Sequence, residues 1–359
     1  IKDYANTADT NNITIGRNSS NIQGEAADFV ISTEGRSVFL VYVDATKGWL
    51  VTSSSQASDI ASPQFVTATG GTITESGDFK IHTFTSPGTF CVSNAGNACG
   101  STSVDYMVVA GGGGGGAGEG SPGTNSANGG GAGAGGYRES SGAASGCYSR
   151  SPLGACVSAL PVSATGYPIT VGAGGAAGPQ NPLHTGLQGS NSIFSSITST
   201  GGGFGGRGNS TAGPGGSGGS VGGACGTGTA GTGNTPPVSP PQGQSGATNP
   251  SNSPPYAGSG GGGATAAGSQ GSGGNAGNGG AGATSSINAT PTGRAGGGGG
   301  GKNTGTASSD QGFGGGFSGS TPNSNGDTNT GGGGGGANGN TITGGAGGSG
   351  VVIIRYKFQ

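Results

Sequence analysis

The sequence predicts an all-β protein interrupted by an inserted polyglycine-II helix sandwich, with no α-helical domain. Three observations carry this. Runs of β-branched and aromatic residues, punctuated by turn residues, occupy 1–110 and 351–359. Of the 93 glycines, ten lie in residues 1–110 and 83 in residues 111–350, so about 35% of that second region is Gly, several times average usage. Those glycines are bunched into dense runs that recur along the region, among them 111–118, 129–136, 172–178, 201–208, 258–263, 296–301 and 331–339.

Taken in order, residues 1–60 form an N-terminal β module from the runs 11–16, 28–33, 37–44 and 48–53, broken at Asn18, Gly24, Gly35 and Gly48. Trp49, the only tryptophan, is expected as a core or subunit-interface anchor. Residues 61–110 supply strands near 71–75, 78–85, 88–92 and 103–110, with turns at Gly77 and Pro87-Gly88. The closing run "VVIIRYKFQ" holds four consecutive apolar residues and needs cover on both faces. It is expected to pair with "YMVVA" at 106–110, which makes residues 111–350 an insertion with both ends fixed.

Two readings compete for that insertion, a flexible Gly/Ser-rich tract and a packed array. A polyglycine chain adopts the left-handed helix of three residues per turn at ~3.1 Å rise, so six residues make a rod of roughly 19 Å. Its amides point outward and must find partners. Without Cβ atoms, neighbouring rods approach closely enough to exchange N–H···O bonds, aided by Cα–H···O contacts. The glycines would then be the core, with Ala132, Ala134 and Ala281 placed where a methyl fits.

Composition also excludes function classes. A formal net charge of −2 offers no basic stripe for nucleic acid, and no segment approaches the ~20 apolar residues of a membrane span. The chain reads as soluble. It opens with Ile1 rather than Met and shows no charged or apolar leader, so the expectation is a portion of a longer polypeptide. The stretch Gly296 to Asn303 approximates a phosphate-binding loop, but Asn303 replaces the metal-holding hydroxyl and no strand-to-helix context surrounds it.

No catalytic, metal or cofactor constellation emerges. His82 and His184, the two histidines, share no ligand or nucleophile spacing, and His82 reads as a strand surface residue. The acids of the glycine region are Glu119, Glu139, Asp310 and Asp327, a poor supply for glycoside hydrolysis. Five cysteines form no CxxC pair. Cys91 and Cys99 flank a turn-like segment and Cys147 and Cys156 bracket a loop, so either pair is a candidate disulfide, with Cys225 left over. Phe194, Phe204, Phe313 and Phe317 are expected to plug the array. Tyr148 and Tyr256 lie in polar loops where an aromatic ring with a polar handle suits contact, and Tyr137 and His184 join them as candidates.

The phrases "NNITIGRNSSNIQG", "GGTITESGDFKIHTFTSPGTF", "VDYMVVAGGGGGG", "GGYRES", "YPITVGAGG", "GSNSIFSSITSTGGG" and "GGSGVVIIRY" resemble the glycine-rich receptor-binding proteins of bacteriophage tail fibres. The likeness spans most of the chain. It implies a homotrimeric fibre tip on the virion, joined to an upstream fibre segment or other tail proteins. It also implies a polyglycine-II sandwich like that of the distal adhesin of some T-even-type phages, with loops at its end contacting a bacterial surface glycan or outer-membrane protein. Loops 137–166, 179–200 and 224–257 carry no motif that maps to a known contact. A subunit of an extracellular filament and a glycan depolymerase are the rival readings.

Overall fold

Val351 to Ile354 cannot sit in a sheet with one wet face, and the computed structural model places them at the centre of a sandwich. The structure describes residues 1–55, 63–118, 128–146, 148–154, 156–179, 184–208, 212–249, 256–302, 305–308, 313–317, 324–338 and 343–359. It divides into two compact units, Ile1–Pro63 and Gln64–Gln359. Among the described residues there is no α-helix, only a 3₁₀ turn at Pro152–Gly154.

The first unit pairs β1 (Ile13–Ile15) with β2 (Phe29–Ile31) and β3 (Ser37–Asp44) with β4 (Gly48–Ser55), both antiparallel. Its core cluster is small, centred on Ala8, Ile31 and Val38. Trp49 is not in it. The indole is 41% exposed and packs edge-on against Tyr42 at 5.5 Å, which corrects the core expectation. It sits on the outer half of the hairpin, past the point where the small core ends.

The second unit opens with β5 (Val66–Thr69), β6 (Thr72–Ser76), β7 (Phe79–Phe84), β8 (Gly88–Ala95) and β9 (Ser103–Val109). Then come β10 (Tyr137–Glu139), β11 (Leu160–Pro161), β12 (Gly166–Thr170), β13 (Ser192–Phe194), β14 (Ile197–Ser199), β15 (Ala212–Gly213) and β16 (Cys225–Gly226). The last are β17 (Ala283–Ser285), β18 (Thr292–Arg294) and β19 (Val351–Lys357). One sheet runs β10-β9-β19-β7-β6 and a second β14-β13-β12-β8-β5. β19 is antiparallel to β9, Val351 facing Val109 and Arg355 facing Asp105, and antiparallel to β7 on its other side.

Side chains alternate across β19. Val352, Ile354 and Tyr356 enter the core between the two sheets with Phe84, Phe90 and Phe194, while Val351 and Ile353 enter a second cluster with Met107, Tyr137 and Ile287. The second sheet takes β12, β13 and β14 from within residues 111–350, so the glycine-rich region and the β strands form one body. Phe194 is therefore sandwich core and not an array plug.

His82 is fully buried between the sheets, which corrects its reading as a surface residue. The reason is that both ring nitrogens find partners. Nδ1–H donates to the Gly70 carbonyl at 2.8 Å, and the Tyr356 hydroxyl donates to Nε2 at 3.0 Å. Burial holds its pKa below the ordinary histidine value, which keeps the ring neutral and this pairing intact. Gly70 itself, with φ of +110° and a Cβ position 2.0 Å from the Thr89 carbonyl oxygen, lets the chain cross from one sheet to the other.

Residues 111–117 continue out of β9 as a rod whose hydrogen bonds repeat every third residue. Gly111, Gly114 and Ala117 donate to Ser190, Leu187 and His184. Gly112 and Gly115 donate to Gly348 and Gly345, and Gly113 and Gly116 to Gly133 and Gly130. The carbonyls of the same rod accept from three more runs, 202–208, 175–178 and 334–337. One rod is thus ringed by six, the packing that a three-residue-per-turn helix with outward amides demands. Residues 129–136 and 258–264 are also bonded to six neighbouring segments each.

None of the glycines in 111–116, 129–136 or 258–263 has positive φ, so backbone freedom is not why glycine is used. The missing Cβ is. A Cβ on Gly113 would lie 2.2 Å from the Gly203 carbonyl oxygen, and one on Gly261 would lie 2.0 Å from that of Ala132. Ala132 and Ala134 are fully buried among these rods, while Ala281 is half-buried.

At the edge of the array side chains return with the same period. In 172–178, Gly172, Gly175 and Gly178 are buried while Ala173 and Ala176 are exposed. Gly175 and Gly178 donate to Gly112 and Gly115, whereas among the described residues no backbone carbonyl receives the N–H of Ala173 or Ala176. Residue-resolved hydrogen exchange of the full chain is expected to be slower at Gly175 and Gly178 than at Ala173 and Ala176 by on the order of 100-fold, because only the former require local opening. Uniform exchange along the run would contradict the rod geometry.

Candidate functional site

The rods start at the sandwich and end together. Ala117 is bonded to His184 and Gly208, Gly129 to Ala337 and Gly301, and Gly178 to Gly115, so these termini share the end remote from β9 and β19. Side-chain amides close it. Asn128 Nδ2 donates to the Tyr256 carbonyl at 2.6 Å, Asn338 Oδ1 accepts from the Lys302 N–H at 2.8 Å, and Asn249 Nδ2 donates to the Ala257 carbonyl. The Cys225 thiol donates to the Asn128 carbonyl. A carboxamide carries the same donor and acceptor as a peptide unit, and here one of the two stands in for a rod's missing group, the N–H at Asn128 and the carbonyl at Asn338.

These asparagines were missed in the sequence, although Asn128-Gly129 and Asn338 at run boundaries are a readable signal. Of the four contact candidates, the structure brings two to this end. His184 is exposed, its carbonyl bonded to Ala117, and Tyr256 is half-buried, its carbonyl bonded to Asn128. The other two lie at the opposite end. Tyr137 is 1% exposed in β10 and donates its hydroxyl to Glu139 at 3.0 Å, so its ring is core and the contact expectation is corrected. Tyr148 is half-buried beneath the Arg355 guanidinium, 5.3 Å from its ring centre.

The buried acids have structural partners. Glu139 accepts from Tyr137, from the Ser151 N–H at 3.0 Å and from the Ser285 hydroxyl at 2.6 Å. Burial raises its pKa above the usual carboxylate value against those donors. Asp105 accepts from the Ser140 and Ser145 hydroxyls, both 2.6 Å, and from the N–H groups of Gly142, Ala144 and Ser145. Neither carboxylate faces solvent. Together they pin residues 140–145, Ser151 and the β17–β18 hairpin to the outer face of the first sheet.

The phosphate-loop resemblance dissolves for a similar reason. From Gly296 to Gly301 every N–H donates within the array, to Phe313, Gly280, Ala132, Gly316, Gly277 and Gly129 in turn. Asn303 lies outside the described residues. Cys91, Cys99 and Cys156 are exposed thiols without disulfides, so the Cys91–Cys99 expectation is corrected. Cys91 sits in β8, whose neighbours β5 and β12 bond it in place independently of any cross-link. Cys147 lies outside the described residues. No group of three or more potential metal ligands occurs among the described residues, and none of the described helices is long and apolar enough to cross a membrane.

The sequence model of a family described as "Glycine-rich domain" matches residues 84–357, from the end of β7 through the array to β19. No curated protein matches the chain.

Proposed function

From its membership of the glycine-rich domain family as premise, we propose that this chain is a phage tail-fibre adhesin, a non-enzymatic, homotrimeric virion protein that binds a bacterial surface receptor. The observation that carries the reading is the shared end of the rods, where the described chain leaves the array at Gly118, Pro179, Gly208, Asn249 and Lys302. A lattice bonded on six sides holds the roots of these connections in fixed positions. Fixing them beforehand lowers the ordering cost of binding, and three copies add avidity. The surroundings are rich in Asn, Ser, Gly and Pro with few charges, which suits a glycan or a neutral protein loop.

The test is binding of the labelled full chain to a panel of bacteria. His184→Ala with Tyr256→Ala at the remote end is expected to weaken labelling about tenfold, the loss of roughly 1.4 kcal/mol, while Tyr148→Phe leaves it unchanged. Equal loss in both variants, or no labelling of any strain, would count against the reading.

A further inference from the structure

The N-terminal unit holds a cleft of about 540 Å³, within the range of roughly 300–1,000 Å³ that small-ligand sites occupy. Its lining is of two kinds. Ile15, Ile22 and Leu40 supply apolar surface that continues onto the indole of Trp49, whereas the turn at 17–20 contributes Arg17, Asn18 and Ser20.

The polar part is held firmly. The Ser20 N–H donates to the Arg17 carbonyl at 2.9 Å, and the Arg17 N–H donates to Asp28 Oδ1 at 2.9 Å. Asn18 and Ser19 both hold positive φ, 44° and 66°. Two consecutive non-glycine residues in that region are strained, and such strain gathers at ligand clamps.

Arg17 has donors and no acceptor. It is half-buried, yet among the described residues its guanidinium makes no hydrogen bond and no ion pair. It is also the only charged side chain that lines the cleft. A guanidinium in this state suits a carboxylate, which it grips through two parallel N–H···O bonds. The indole of Trp49, 41% exposed, adds a flat apolar face with a polar edge. A ligand that satisfies both is apolar on one face, carries hydroxyls around its rim and bears a carboxylate. A pyranose ring with a carboxyl group has that form.

We propose that this cleft is a second binding site, for an acidic sugar of the uronic acid class, with the ring stacked on Trp49, the carboxylate on Arg17 and the hydroxyls on Asn18 and Ser20. Every residue that lines it belongs to Ile1–Pro63, so the site is independent of the rod ends and of the reading built on them.

Trp49 is the only tryptophan, so the tryptophan emission of the full chain reports on this cleft alone. The experiment titrates the chain with trigalacturonate, with its methyl ester, which carries no carboxylate, and with inorganic phosphate. Trigalacturonate is expected to change the emission saturably, and the ester and phosphate to act about tenfold more weakly. Arg17→Gln is expected to weaken trigalacturonate about tenfold, while the control Arg150→Gln binds as wild type does. Arg17 anchors the turn through its backbone, so the variant keeps the fold, and an unliganded emission spectrum matching wild type verifies this. An emission unmoved by trigalacturonate, or equal affinity in Arg17→Gln, would overturn the site, and an equal response to phosphate would overturn the sugar. His184→Ala with Tyr256→Ala is expected to bind trigalacturonate as wild type does, which separates this site from the rod ends.

Discussion

Gly131→Ala unfolds the array or leaves it marginal, although it adds one methyl group. Gly131 donates to Ser259, accepts from Gly223, and has a Cβ position 2.1 Å from the Gly298 carbonyl oxygen. The obstructing atoms are backbone on a neighbouring rod, so no side chain can rotate away. The rods must separate, and breaking two buried hydrogen bonds at about 1–3 kcal/mol each removes about 2–6 kcal/mol from a fold whose total stability is on the order of 5–15 kcal/mol. Ala173→Ser, at an exposed position with the same three-residue period, shifts stability by less than about 0.5 kcal/mol. Denaturant unfolding of the two variants measures the contrast, and equal midpoints would mean that the array contributes no cooperative stability.

Asp105→Ala is the second large effect. The carboxylate gathers two hydroxyls and three backbone N–H groups from 140–145 while buried in β9. Across the strand pair stands Arg355, 4% exposed and stacked 4.6 Å from the Phe79 ring centre. Removing the acceptor strands the donors and takes a negative charge from the surroundings of the buried Arg355 guanidinium. Each buried donor left unsatisfied costs about 1–3 kcal/mol, so the loss is expected to be at least about 3 kcal/mol. Thermal unfolding checks this, and exchange at Gly142 and Ser145 is expected to rise first, since loop 140–145 loses its anchor. An Asp105→Ala protein as stable as wild type would show that the loop is held by other contacts.

The strands at the two ends were legible because their signal is local. Val351 to Ile354 announces cover on both faces, and the β-branched and aromatic runs at 37–44 and 79–84 mark β3 and β7 without help from the rest of the chain. The array was legible in kind, because dense glycine followed by dense glycine leaves few ways to satisfy buried amides. Its neighbours were not. Which rod touches which depends on bonds between residues as distant as Gly112 and Gly348, and glycine runs look alike. The fate of Tyr137 was hidden for the same reason. Three residues, Tyr137 to Glu139, become a strand only because β9 offers its edge, and a polar loop in the sequence becomes the second core in the fold. Trp49 departs from the core half of its expectation, since aromatic size argued for burial and the small core of its unit closes over Ala8, Ile31 and Val38 without it.

A core made of peptide groups also sets how stability responds to temperature. Exposing apolar surface on unfolding raises the heat capacity and exposing polar surface lowers it, by roughly 0.45 and 0.26 cal/K/mol for each Å². Rods such as 111–117 and 129–136 bury amides and methylene carbons in place of leucines and valines. The two contributions then oppose each other within one element. The stability curve of the array is accordingly shallow, its enthalpy changes little between cold and warm, and the fading of the hydrophobic effect on cooling takes little from it.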